Sequence, residues 1–81
     1  IDREINQMAI YPNPAQNTIH LHHVATNGVL TVYNAMGQVV KRIESVSSST
    51  IDVANLNPGF YVMVYEVESK LLQARFVIHR P

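Results

Sequence analysis

The sequence predicts an all-β domain, a sandwich or barrel of about seven short antiparallel strands. Turn signals recur roughly every eight to twelve residues between short β-rich runs, which is the spacing of such folds. Inside those runs apolar and polar residues alternate with period two. No stretch of about eleven residues keeps a 3.6 period with helix formers, so no α-helix is placed. A chain of 81 residues makes one domain, near the lower end of what buries its own core. It should remove roughly 60 to 65% of its unfolded surface from water, for a net stability of about 4 to 12 kcal/mol.

Taken in order, residues 1–7 mix charge and amide groups without a sustained period and read as the end of a linker, with the domain starting near Met8. The first run is Met8–Tyr11. The second is Asn17–His22, where Ile19 and Leu21 on a core face alternate with His20 and His22 on a solvated one. In the third, Gly28–Asn34, Leu30 and Val32 face the core while Thr31 and Tyr33 face solvent. Asn27 and Gly28 ahead of it both tolerate positive φ and suit a tight hairpin reversal. The fourth and fifth runs are Gln38–Glu44 and Ser49–Val53. Between the third and fourth, Asn34, Ala35, Met36 and Gly37 suit a type I turn closed by a left-handed glycine. The last two runs are the longest, Gly59–Glu68 and Lys70–His79. Tyr61, Met63, Tyr65 and Val67 share one parity, and Leu72, Ala74, Phe76 and Ile78 share the facing one, which makes these runs the best hairpin. Pro58 and Gly59 fit the central positions of a type II turn that launches the first of them.

Composition narrows the function. The apolar fraction is 47%, and six basic residues balance six acidic ones for a net charge of zero. There is no electrostatic footprint for nucleic acid or an anionic membrane. The longest apolar stretch is six residues, far short of the roughly 20 that span a bilayer. With no leader at its front, the chain reads as an internal piece of a longer protein. The absence of cysteine removes disulfides and thiolate chemistry, so packing alone must hold the fold.

Three clusters of reactive side chains suggest chemistry. His20 and His22 share a strand face beside His23, and imidazole is a common zinc ligand. A zinc site still needs a third and fourth ligand, for which only residues such as Asp52 or His79 remain, so a solvated strand face is the better reading. Ser47, Ser48 and Ser49 lack a paired base and orienting carboxylate and read as a loop. Glu66 and Glu68, two apart on one strand face, lack the cleft that a carboxylate pair needs and read as surface charge. No metal, cofactor or catalytic residue is assigned, and the domain is not expected to be an enzyme.

Three motifs stand in order across the chain. Ile10, Tyr11, Pro12, Asn13, Pro14 and Ala15 come first, and Val32, Tyr33, Asn34, Ala35, Met36, Gly37, Gln38, Val39 and Val40 follow. Leu56, Asn57, Pro58, Gly59, Phe60, Tyr61 and Val62 come last, ahead of a final amphipathic strand holding Arg75, Phe76 and Val77. In that order and spacing, residues 8–79 resemble the C-terminal sorting domain of the bacterial type IX (Por) secretion system. Leu56, Pro58, Gly59 and Tyr61 also resemble the tyrosine corner of immunoglobulin and fibronectin type III sandwiches.

The resemblance implies an immunoglobulin-like β-sandwich over residues 8–81, with residues 1–7 linking it to an upstream cargo. Such a domain directs its parent across the outer membrane, passing through the periplasm to the outer membrane, the cell surface or the medium. Its partners would be outer-membrane translocation and shuttle proteins and a cell-surface, sortase-like peptidase that removes it, after which the cargo is released or attached to a surface lipopolysaccharide. Neither nucleic acid nor a membrane span is involved, and self-association is left open. Carried over residue by residue, Tyr11, Pro12, Asn13 and Pro14 are the opening motif, and Gly37, Pro58 and Gly59 are structural turns. Arg75, Phe76, Val77 and Arg80 belong to the recognised terminal strand, with Arg75 and Arg80 expected on the outside.

Two positions depart from the family pattern: Glu68, Ser69 and Lys70 stand where an Asn-Gly type reversal is common, and Pro81 follows Arg80. The rival reading is a structural or adhesive module of a surface protein. A carbohydrate binder should show exposed aromatic platforms, and the six aromatics lie mostly at core parity.

Overall fold

The structure is a computed structural model that describes residues 4–22 and 26–81, with side chains from residue 6 onward. The strands are β1 (Glu4–Gln7), β2 (Ile10–Tyr11), β3 (Thr18–Leu21), β4 (Val29–Asn34), β5 (Val39–Ile43), β6 (Thr50–Asp52), β7 (Gly59–Val67) and β8 (Lys70–Ile78). They form a five-stranded sheet, in the order β1-β8-β7-β4-β5, and a three-stranded sheet, β2-β3-β6. The described residues include no helix. An all-β sandwich is therefore what the alternating pattern builds.

The β7–β8 hairpin is the spine of the larger sheet. Its register sets Tyr61 against Phe76, Met63 against Ala74 and Tyr65 against Leu72. Since successive side chains alternate between faces, one parity of each strand lines the interior, and the Tyr61 and Phe76 rings stack with centroids 5.4 Å apart. Leu30 and Val32 of β4 join them, while Ile19, Leu21 and Ile51 face them from the smaller sheet. Met8, Ala15, Val46, Val53 and Leu56, from connections between strands, complete the core.

The turns repay close reading. Asn34 organises the β4–β5 reversal: its Oδ1 accepts from the N–H groups of Met36 and Gln38 at 2.9 and 3.0 Å. Gly37 takes φ +83° as expected. On β5 the register jumps, with Val32 opposite Lys41 and Tyr33 opposite Val39, leaving Val40 as a bulge. The β7–β8 loop is Glu68–Ser69, with Glu68 at φ +56°. Positive φ at only the first central residue is the type II′ pattern.

Several expectations need correction. Residues 4–7 form a strand: β1 pairs parallel with β8, from Glu4 opposite Lys70 to Gln7 opposite Gln73. Backbone hydrogen bonding to an open edge requires no side-chain period, which is why composition did not announce it. The sandwich is accordingly not purely antiparallel, and the run placed at Met8–Tyr11 is a strand only at Ile10–Tyr11. Asn27 and Gly28 do not close a hairpin, because β3 and β4 lie in different sheets. Asn27 alone has positive φ, +73°. Gly28 is required for another reason, since a Cβ there would stand 2.6 Å from the Glu66 carbonyl oxygen and 2.7 Å from the Tyr65 ring. Gly59 has positive φ, but at +151° it is far from the roughly +80° of a type II turn and already begins β7. Thr31, expected outside, is buried between Arg42 and Val64 on the outer face. Tyr11 and Phe60 are exposed, so the aromatics divide between core and surface.

Candidate surface of recognition

β8 is nearly the last segment of this sequence, yet it is not an edge of its sheet. In the β7–β8 ladder alternate residues turn their backbone groups away from the partner strand, so Gln73, Arg75 and Val77 offer theirs to the far side. Chain from the N-terminal segment takes up most of these groups. Met8 N–H donates to the Gln73 carbonyl at 2.8 Å, Ala15 N–H donates to that of Val77 at 2.8 Å, and His79 N–H donates to that of Ala15 at 2.9 Å.

Between these contacts the backbone cannot continue the ladder, because Pro12 and Pro14 have no N–H and the chain has stepped across to pair Ile10 and Tyr11 with β3. The Asn13 side chain fills the gap. Its Nδ2 donates to the Arg75 carbonyl at 3.1 Å, and its Oδ1 accepts from the Val77 N–H at 3.1 Å. A carboxamide presents a donor and an acceptor on one planar group, as a peptide unit does. Asparagine between two prolines thus stands in for a strand residue. The two parts of the suspected recognition surface, more than 60 residues apart in sequence, meet at this side chain. An open cleft of about 520 Å³ adjoins it, lined by Gln7, Met8, Ala9, Ile10, Asn13, Ala74 and Arg75.

The remaining candidate residues divide sharply. Pro12 and Pro14 are exposed. Tyr11 is 55% exposed and stacks on His20 with centroids 5.1 Å apart, while His22 approaches it edge-on at 6.5 Å. Arg75 is exposed and Val77 half-buried, but Phe76 is only 1% exposed and acts through the core. Arg80 corrects the expectation of a free surface charge. It is half-buried, and its guanidinium donates to the carbonyls of Leu56 at 2.6 Å, Val53 at 3.1 Å and Ala54 at 3.2 Å. No sequence signal announced this role, because the acceptors are backbone oxygens, which every residue type carries.

Tyr61 makes the expected corner, its hydroxyl donating to the Asn57 carbonyl. Among the described residues no group of three or more His, Cys, Asp or Glu gathers as metal ligands do. His20 is engaged by the Thr50 hydroxyl at 3.1 Å, and His23 lies outside the described residues. Ser47, Ser48 and Ser49 lie in an exposed loop, where the Ser48 hydroxyl accepts from the Thr50 N–H. Glu66 and Glu68 do not share a strand face, because Glu68 has left β7 for the turn.

The family profile of the "Secretion system C-terminal sorting domain" matches residues 9–79. No match is found among curated proteins. Among solved structures, the chain is similar in fold to PorZ, described as an essential bacterial surface component of the type IX secretion system of the oral bacterium Porphyromonas gingivalis. The TM-score is 0.71 at 16% identity, covering 90% of this chain and 11% of that one. At this identity the likeness speaks for the sandwich fold, and the present chain corresponds to about a tenth of that protein. The profile match spans all three motifs and the terminal strand that Asn13 joins to the first of them, and on it the chain belongs to the type IX secretion C-terminal sorting domain family, whose role is to mark proteins for export to the outer membrane, the cell surface or the medium.

Proposed function

We propose that residues 8–81 act as a folded address read on the composite surface where Tyr11–Pro14 meets the outer edge of β8. Residues 1–7 join it to an upstream cargo, with β1 docking that join onto the sheet. The observation that carries this reading is the Asn13 carboxamide bridging to Arg75 and Val77, since it makes one surface of two distant motifs. The readers are translocation and shuttle proteins of the outer membrane, met after passage through the periplasm. A sortase-like peptidase at the cell surface then removes the domain, and the cargo is released or attached to a surface lipopolysaccharide. The domain itself carries no reaction.

The test fuses the domain to a folded reporter in a bacterium with this secretion system and compares the reporter at the cell surface with that left in the periplasm. The parent should be delivered, and a fusion lacking residues 70–81 should stay in the periplasm. Normal delivery without those residues would sink the reading and favour a structural or adhesive module. Asn13→Ala separates folding from recognition. Loss of two hydrogen bonds at an exposed site should cost about 1 to 2 kcal/mol, read by urea unfolding, while delivery falls by more than the fraction unfolded explains.

A further inference from the structure

The larger sheet has a second face that the smaller sheet does not cover. The even-numbered residues of β7 point to it, opposite in parity to Tyr61, Met63 and Tyr65 in the core. The register lays Phe60 beside Val77, and Val62 between Arg75 on one side and Tyr33 on the other, with Val39 beyond Tyr33. Phe60 is 70% exposed, Val39 56%, and Met36 at the neighbouring turn 82%. Ala35, Phe60, Tyr61, Val62 and Arg75 surround an apolar hollow of about 100 Å³, room for one aliphatic side chain.

Charge decides what fits this patch. Arg75 lines the hollow itself, opposite Val62, and no ion pair of Arg75 is found among the described residues. The acidic residue of β7 on this face is Glu66, four positions along from Val62 and so roughly 13 Å away. A second copy meeting through this patch would offer Arg75 only the patch's own apolar and aromatic side chains and no carboxylate, which leaves the charge unmet and opposes self-association. An anionic lipid surface needs a cluster of cations, and Arg75 and Arg42, on this face with two strands between them and Arg42 paired to Glu44 at 3.5 Å, do not make one in a chain of zero net charge.

We propose that this patch is a docking surface for a protein partner that inserts an aliphatic side chain into the hollow beside Phe60 and presents a carboxylate to Arg75. An exposed aromatic and an arginine at the centre of an apolar patch are the residue types that carry most binding energy at protein interfaces. The proposal rests on the sorting-domain reading and names a second surface by which the same address is read. It differs from the Asn13 surface because it uses the side chains of Phe60 and Arg75, whereas Asn13 uses the Arg75 backbone.

The test uses the same reporter fusion with Phe60→Thr, Arg75→Glu and Arg75→Lys, each purified domain also being melted. Phe60→Thr keeps a β-former at an exposed position, and neither arginine change touches the core, so the midpoints should stay close to the parent's. Delivery to the surface should fall about tenfold for Phe60→Thr and Arg75→Glu, as removal of a central interface residue does, and Arg75→Lys should retain most of it. Normal delivery of both impaired variants would overturn the docking surface while leaving the sorting reading intact. An undelivered parent overturns both. A concentration-dependent dimer of the parent that Phe60→Thr abolishes in sedimentation would assign the patch to a second copy and overturn the proposal. Binding of the parent to phosphatidylglycerol vesicles, lost in Phe60→Thr, would assign it to lipid and likewise overturn it.

Discussion

Arg75 and Arg80 carry the same charge on the same terminal segment, and their surroundings give them opposite roles. Arg75 projects from β8 into solvent, whereas Arg80 holds three carbonyls of the connection between β6 and β7. Arg80→Gln should therefore destabilise by about 1 to 3 kcal/mol, the range for hydrogen bonds donated by a charged group. Arg75→Gln should stay within about 0.5 kcal/mol, as surface substitutions do. Equal unfolding midpoints for the two variants in urea would show that the Arg80 contacts contribute nothing. Replacing both together, which looks harmless while both are taken for surface charges, would confuse a folding defect with a recognition defect. Alternation along a strand reveals which way a side chain leaves the backbone. It does not reveal whether carbonyls lie within reach of a long side chain beyond the strand's end.

At the scale of the element, the β7–β8 hairpin was the most legible part of the fold. Two long runs with matched apolar parities exclude a one-residue slip, which would turn either set to solvent, and the two-residue loop then fixes the register observed, with both sets inside. Its loop was less legible. Glu68 occupies left-handed φ at +56°, where a Cβ costs about 1 to 2 kcal/mol. Glu68→Gly removes that cost, while the added freedom of glycine in the unfolded chain returns roughly half of it. The net stabilisation should be about 0.5 to 1 kcal/mol, read as a rise of a few degrees in the melting midpoint. A lower midpoint would show that Glu68 is not held at positive φ. β1 was missed for a different reason. A short strand on an edge takes its hold from backbone groups, and its side chains need show no pattern.

For the whole molecule, the core is built from apolar side chains of both sheets and the connections between them, and no cysteine cross-links it. Folding should thus be indifferent to chelation, and the far-UV spectrum after treatment with a chelator should match that of the untreated protein. A lost β signal would give the histidines a structural role that the geometry around His20 and His22 does not support. The sequence by itself determined the fold class, the approximate extent of the later strands and most of the core, because these depend on local period and on turn chemistry, and its three ordered motifs carried the resemblance to the family that the profile matches. Only the tertiary structure decided that the N-terminal segment covers the edge of the terminal strand, that Asn13 serves as its surrogate backbone, and that Arg80 is an internal anchor. It also decided that Phe60 lies on an uncovered face. Each of these depends on which residues distant in sequence become neighbours, and a hydrogen bond to a backbone group leaves no mark on the identity of the residue that offers it.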